Sequence, residues 1–238
     1  MKRILPAVAA MMIAVTVAAM QTRAMTFELS VGPKLELGMG FYSGDDWQDH
    51  LDDNNIDNQY VFTFSGGLLF DMTFVRTGIF GFGLQPEALL TFTGGGSSGN
   101  TFVSTDTVKG ADISIYLKPK FTLGNGDLYI LFGPDIFIPI GGVEENLKLK
   151  DSKYPYPGTI KSLGTDVIVG LGIGIGYDFK FDQGTIEIGC TFTPYLMDYW
   201  EYAEIRQNKF TFTIGYAFNV IKPSMPANTS GPADSSTP

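Results

Sequence analysis

The chain has 238 residues, with 16 basic residues against 25 acidic ones, one histidine and one cysteine. That balance excludes the basic footprint a nucleic-acid partner requires, the lone Cys190 excludes an internal disulfide, and the single His50 leaves little for an imidazole metal centre. Twenty-nine glycines alongside 13% aromatics, with no collagen period, point to a β-protein with tight turns and close-packed interiors.

Residues 1–24, "MKRILPAVAAMMIAVTVAAMQTRA", have the three parts of a secretory signal: Lys2 and Arg3, an apolar run from Ile4 to Met20, then small residues. Cleavage after Ala18, Ala19 or Ala24 fits equally well. An uncleaved anchor is the weaker alternative, because the run is poor in the large aliphatic side chains that hold a helix in a bilayer. Without Lys2, Arg3 and Arg23, 13 basic residues face 25 acidic ones, a net charge near −12.

From there to residue 220 the pattern has period two. In "FELSVGPKLELGMGF", Phe27, Leu29, Val31, Pro33, Leu35, Leu37, Met39 and Phe41 form one face, opposite Glu28, Ser30, Lys34 and Glu36. Eight such strands are predicted, over 26–42, 59–74, 78–93, 111–123, 127–141, 165–181, 184–198 and 208–220. The connections alternate long, short, long, from "SGDDWQDHLDDNNIDN" and "VRTG" onward, with both termini on the short-turn side. Such alternation is the mark of an outer-membrane barrel with short periplasmic turns, longer outer loops and an even strand number. The predicted fold is therefore all-β: an eight-stranded antiparallel up-and-down transmembrane β-barrel over residues 25–220. A soluble lipocalin-like barrel would reverse the faces, but the polar face here is too glycine-rich to be its outer surface. Residues 221–238 are almost all small or polar and read as a disordered tail.

The polar face carries Glu28, Lys34, Glu36, Asp71, Gln85, Glu87, Lys118, Lys120, Asp135, Asp178, Lys180 and Glu187. Buried charges need partners, so mixed-sign pairs across a plugged polar lumen are expected, at the width where side chains fill an eight-stranded interior. In "VIVGLGIGIGYDFKF", Gly170, Gly172, Gly174 and Gly176 share this inward face, leaving room for Lys118, Lys120 or Tyr116. A dinucleotide fingerprint would need another register and a following helix. Pro33, Pro86, Pro119, Pro134 and Pro194 fall on the outward face and suggest bulges. Cys190 also faces outward, as a small apolar residue.

The first long loop holds Asp45, Asp46, Asp49, Asp52, Asp53 and Asp57, oxygen ligands without a calcium-loop spacing. A solvated acidic loop is the favoured reading; divalent bridging to lipopolysaccharide is the alternative. His50, with Asp46 or Asp49 orienting it and Ser43 as nucleophile, would be the elements of a lipid-modifying hydrolase. They lie in one long loop, however, and the sequence favours a protein without enzymatic activity, metal or cofactor.

The last strand ends "TIGYAFNV", where Thr213, Gly215, Phe218 and Val220 have the spacing of the strand signal read by barrel-assembly machinery; here eighteen residues follow it. The segments "GLQPEALLTF", "IYLKPKFTL", "LYILFGPDIFIPIGG" and "GLGIGIGYDF" resemble successive strands of the PorT-like outer-membrane β-barrel family and its opacity-protein-like relatives. The likeness covers about residues 26–220 and rests on Gly-Pro-aromatic patterning. It implies a small barrel in the outer membrane of a diderm bacterium, in contact with outer-membrane lipids and lipopolysaccharide. Because members are mostly uncharacterised surface proteins, it implies little about activity. The expected function is a surface role in envelope integrity or adhesion, with a host or matrix ligand at the outer loops. The alternatives are a narrow channel for small or apolar solutes and a lipid A-modifying enzyme.

Overall fold

The computed structural model describes residues 27–149, 160–161, 167–197 and 204–221. The expected signal segment and its cleavage site, and the tail beyond Ile221, lie outside the described residues.

In chain order the elements are β1 (Glu28–Ser43), α1 (Asp45–Asn54), β2 (Asp57–Gln59), β3 (Val61–Thr77), β4 (Phe80–Ser98), β5 (Phe102–Leu123), β6 (Gly126–Pro139), β7 (Val143–Leu149), β8 (Ile160–Lys161), β9 (Ile168–Lys180), β10 (Gly184–Pro194) and β11 (Arg206–Ile221). Eight of these close into a ring, β1-β3-β4-β5-β6-β9-β10-β11 and back to β1, every pair antiparallel. Closure leaves the ring no free edge, the condition for crossing lipid with strands. The alternation fixes the faces. Leu35, Leu37, Met39, Phe212 and Ile214 are exposed on the outer wall, while Lys34, Glu36, Thr211 and Thr213 are buried inside. Ring pairs Phe41–Tyr60, Phe80–Phe121, Tyr177–Phe179 and Tyr216–Phe218 gather toward the wall's two rims, where interfacial aromatics belong.

Both ends of the ring, Glu28 and Ile221, lie at the end that carries the turns after β3, β5 and β9. Gly78 and Gly124 take φ of 54° and 62° in the first two of these turns, a left-handed conformation that costs glycine nothing.

The other end differs from expectation in three places. The stretch 94–109, expected as a long loop, is a hairpin: β4 runs to Ser98, β5 starts at Phe102 rather than 111, and Gly94 to Ser98 pair with Thr107 to Val103. Glycine-rich and polar composition suggested a loop, but Gly94 and Gly96 lie so close to the carbonyls of Asp106 and Ser104 that a Cβ would not fit. Those glycines serve strand packing. The acidic segment forms α1, with Asp45 and Asp46 in its first turn favourable to the helix dipole. The long connection after β6 adds β7 and β8, with β5 passing from β6 to β7 as its partner.

The prolines correct another expectation. Pro33, Pro86, Pro119, Pro134 and Pro194 sit within ladders whose register runs through them. The register shifts fall instead between Leu29 and Ser30 and between Thr73 and Val75. The second has a consequence. Thr63, Ser65, Leu69, Asp71 and Thr73 point inward on odd numbers, and the extra residue turns the even-numbered Arg76 inward as well. Re-aiming a side chain is a common use of a bulge.

Candidate functional site

The chemistry of the chain is concentrated in the lumen, in three tiers. At the mouth, on the short-turn side, Arg76 Nε donates to Glu28 at 3.0 Å and Arg76 Nη2 to Asp127 at 2.9 Å. Lys180 also pairs with Asp127, at 2.7 Å. An open cavity of about 330 Å³ lies here, lined by residues including Glu28, Ser30, Arg76, Lys120, Lys180 and Asn219.

The middle tier is buried and more crowded. Lys118 Nζ donates to Glu187 at 2.7 Å, to Asp71 at 3.0 Å and to Asp178 at 3.2 Å, and lies 4.1 Å from the centre of the Tyr129 ring. Asp71, Asp178 and Glu187 converge closely enough to hold a metal ion, but the ammonium of Lys118 stands among them and supplies the positive charge itself. Lys120 donates to Asp71 at 2.7 Å, and Lys34 to Glu87 at 2.5 Å, with Glu36 3.2 Å away. Gln85 bridges Glu87 and Glu187.

In the upper tier, Lys209 donates to Asp112 at 2.6 Å and lies 3.6 Å from Asp135. Asp112 also accepts from Thr91 and Tyr195, and Asp135 from Tyr116 and Thr193. Above this the lining turns apolar. Tyr42, Val108, Phe137, Val143, Ile168 and Tyr195 form a buried cluster, and Trp47 of α1 and Ile205 pack against it. Trp47 meets Tyr42 edge to face at 5.2 Å, and Leu51 of α1 is buried. The helix therefore lies over the long-loop end of the barrel, with an apolar plug beneath it.

Nine of the ten residues predicted for the lumen network, Lys34, Glu36, Asp71, Glu87, Lys118, Lys120, Asp135, Asp178 and Glu187, are buried on the inward face, and Glu28 lies at the mouth. Asp112, Lys209, Asp127 and Arg76 join the network beyond the expected set. The first three stand within two residues of a predicted strand end, where a charge reads as loop. Parity could have found two of them: Asp112 continues Ser114, Tyr116 and Lys118, and Lys209 continues Thr211 and Thr213. Nothing local announces the bulge behind Arg76.

The glycine stripe of β9 faces inward, but lysines do not fill it. Tyr195 lies over Gly170, Tyr116 over Gly172 and Tyr129 over Gly176, each so close that a Cβ would come within 3 Å of the ring. A rigid ring whose hydroxyl can reach a partner fills such a space at less entropic cost than a long ammonium chain. The lysines are drawn instead to carboxylates on the other strands.

Three residues of the conceivable hydrolase have contacts of their own. Ser43 Oγ accepts from Asn208 at 2.7 Å, Asp46 accepts from the Glu204 amide at 2.7 Å, and His50 packs on Trp47. In the last strand, Thr213 is buried, Gly215 packs against Leu69, and Phe218 and Val220 are exposed on the outer wall.

Comparison with known proteins gives similarity at the level of the fold. The outer membrane enzyme PagL superposes with a TM-score of 0.45 at 13% identity, over 76% of this chain and 97% of its own. OprG from Pseudomonas aeruginosa gives 0.38 at 10%, over 84% and 98%. Ail, the attachment invasion locus protein of Yersinia pestis, gives 0.34 at 11%, over 82% and 100%. Likeness at this level assigns no activity, and no curated protein matches the sequence. The model of the outer membrane protein beta-barrel domain matches residues 7–218. An apolar wall around a charged interior requires a bilayer outside it, and that match shows the same thing from sequence: the chain belongs to the outer-membrane β-barrel domain family.

Proposed function

We propose that the protein is a non-enzymatic surface protein of the bacterial outer membrane, working through its long-loop end in envelope integrity or adhesion. In this reading residues 1–24 are an export signal, and both ends of the barrel and the tail beyond residue 221 lie in the periplasm. The last strand, with Thr213, Gly215, Phe218 and Val220, is presented to the barrel-assembly machinery, while α1, β2 and the β4–β5 hairpin face outward among lipopolysaccharide molecules. The carrying observation is the filled lumen: ion-paired side chains occupy its middle and an apolar plug lies above them. A barrel whose middle is filled has its loops left for binding. Engagement of Ser43 and Asp46 in structural hydrogen bonds argues against the hydrolase, and the cavity at the mouth is the observation that favours a channel.

The test replaces residues 45–59 or the hairpin tip 97–103 by short turns while leaving the ring intact. The expected result is loss of host-cell or matrix binding, or increased sensitivity of the cells to detergent, with the folded barrel still present. Cells indistinguishable from those carrying the full chain in every one of these measures would contradict the proposal.

A further inference from the structure

Charge is not evenly balanced along the lumen. At the mouth, Arg76 and Lys180 meet Glu28 and Asp127, two against two. Further in, Lys118 and Lys120 meet Asp71, Asp178 and Glu187. Where the middle tier gives way to the upper one, between Lys34 and Lys209, two ammonium groups face four buried carboxylates. Glu36 and Glu87 surround the first, Asp112 and Asp135 the second. The surplus of negative charge is therefore largest in a stretch closed by the apolar plug above and by the Lys118 cluster below.

The same stretch holds oxygens that no donor among the described residues reaches. Glu36 turns Oε1 to Lys34 at 3.2 Å and leaves Oε2 unbonded. Asp135 Oδ2 accepts from Tyr116 and Thr193 and lies 3.6 Å from Lys209, while Oδ1 has no partner; nor has Thr211 Oγ1. Glu36 is 4% exposed, and Asp135 and Thr211 less. Because β1 and β6 stand opposite each other in the ring, Glu36 and Asp135 face across the lumen, close enough for one charge to act on the other. Thr211 lies on the wall between them. It pairs with Gly38, one inward position along β1 from Glu36, and with Thr191, one inward position from the Thr193 that reaches Asp135. Gly38 puts no side chain between Glu36 and Thr211.

A proton on Glu36 Oε2 or Asp135 Oδ1 would find no acceptor among the described residues, and water would satisfy these oxygens without reducing the charge. Uncompensated carboxylates in a low-dielectric interior are costly. We propose that a hard divalent cation of calcium's kind is held between Glu36, Asp135 and Thr211, with water completing its shell. One such ion cancels the local surplus, and calcium tolerates an irregular set of oxygen ligands. The donors suit no softer metal, since they are oxygens only, the single histidine lies on α1 and Cys190 is on the outward face. This site is separate from the convergence of Asp71, Asp178 and Glu187, where Lys118 already stands. With both ways out closed, the ion enters as the barrel folds and leaves when it unfolds.

The experiment refolds the full chain into detergent with calcium, passes it over a chelating resin, and counts the metal left per barrel by mass spectrometry. The exposed aspartates of α1 give up calcium to the resin, whereas an enclosed ion stays. The parent is expected to keep about one calcium per folded barrel, as a single site of this kind requires. The Glu36→Gln/Asp135→Asn pair is expected to keep at least about tenfold less, since both charged ligands are gone. Asp178→Asn, which alters only the cluster around Lys118, is expected to keep as much as the parent. Heat-modifiable migration on a detergent gel shows that each variant is folded. A folded parent without resin-resistant calcium would overturn the proposal. So would full retention in the folded double variant, or loss of the ion in folded Asp178→Asn. Should the double variant not fold, Thr211→Val decides, because it removes one ligand and no charge: retention below the parent supports the site, and retention equal to the parent overturns it.

Discussion

Lys118 sits at the centre of the middle tier of the lumen. Among the described buried residues of the lumen, four ammonium groups, of Lys34, Lys118, Lys120 and Lys209, stand against eight carboxylates, one of which, Asp127, is held by Arg76 and Lys180. The carboxylates are therefore in excess, and removing a lysine deepens the imbalance where removing an acid relieves it. Lys118 touches three of them. Breaking a buried ion pair from one side costs about 3–5 kcal/mol, and Lys118→Met keeps most of the volume while taking the charge. A fall of that size in the unfolding free energy of the barrel in detergent, measured with urea, is expected for Lys118→Met. Calcium should then restore part of the loss, because Asp71, Asp178 and Glu187 remain converged and a hard divalent ion accepts such oxygens. A variant as stable as the parent, and indifferent to calcium, would contradict this account of the tier.

At the scale of elements, α1 is the clearest case of structure that residue type hid. Its five aspartates gave the segment the look of a solvated loop, yet Asp45, Asp46, Asp49, Asp52 and Asp53 fall on one helical face while Trp47 and Leu51 fall on the other. The apolar side is docked by Trp47 on Tyr42 and by burial of Leu51. Like charges at i, i+4 oppose the helix, so docking must hold it. Trp47→Ala should release α1: limited proteolysis would then cut within 45–54 while the ring stays intact. Unchanged protection would show that the helix does not depend on this contact. The ring strands, by contrast, were legible apart from the long-loop ends of β4 and β5. Period two survives in β1, β9 and β11 because one face meets hydrocarbon and the other meets charge, so neither can tolerate the opposite type. Where both faces leave the bilayer, as in 94–109, that contrast vanishes and glycine and serine read as loop. Register events such as the shift after Thr73 leave no trace in composition. The lumen partners were legible as a set but not as pairs, since pairing depends on shear between strands distant in sequence.

The molecule as a whole is a closed ring with unlike ends. The short-turn end opens into a polar vestibule, and the long-loop end is covered by an apolar plug, a helix and the β4–β5 hairpin. Between them, a layer of ion pairs crosses the interior, with Lys118 on β5 reaching Glu187 on β10. Moving an ion through that layer would require separating buried charge pairs, each held in a medium where their attraction is far stronger than in water. An interior of this kind is expected to support the fold and not to conduct. Planar-bilayer recording on the full-length refolded protein tests it most directly: no reproducible unitary conductance is predicted, and a steady, stepwise current of uniform size would contradict it.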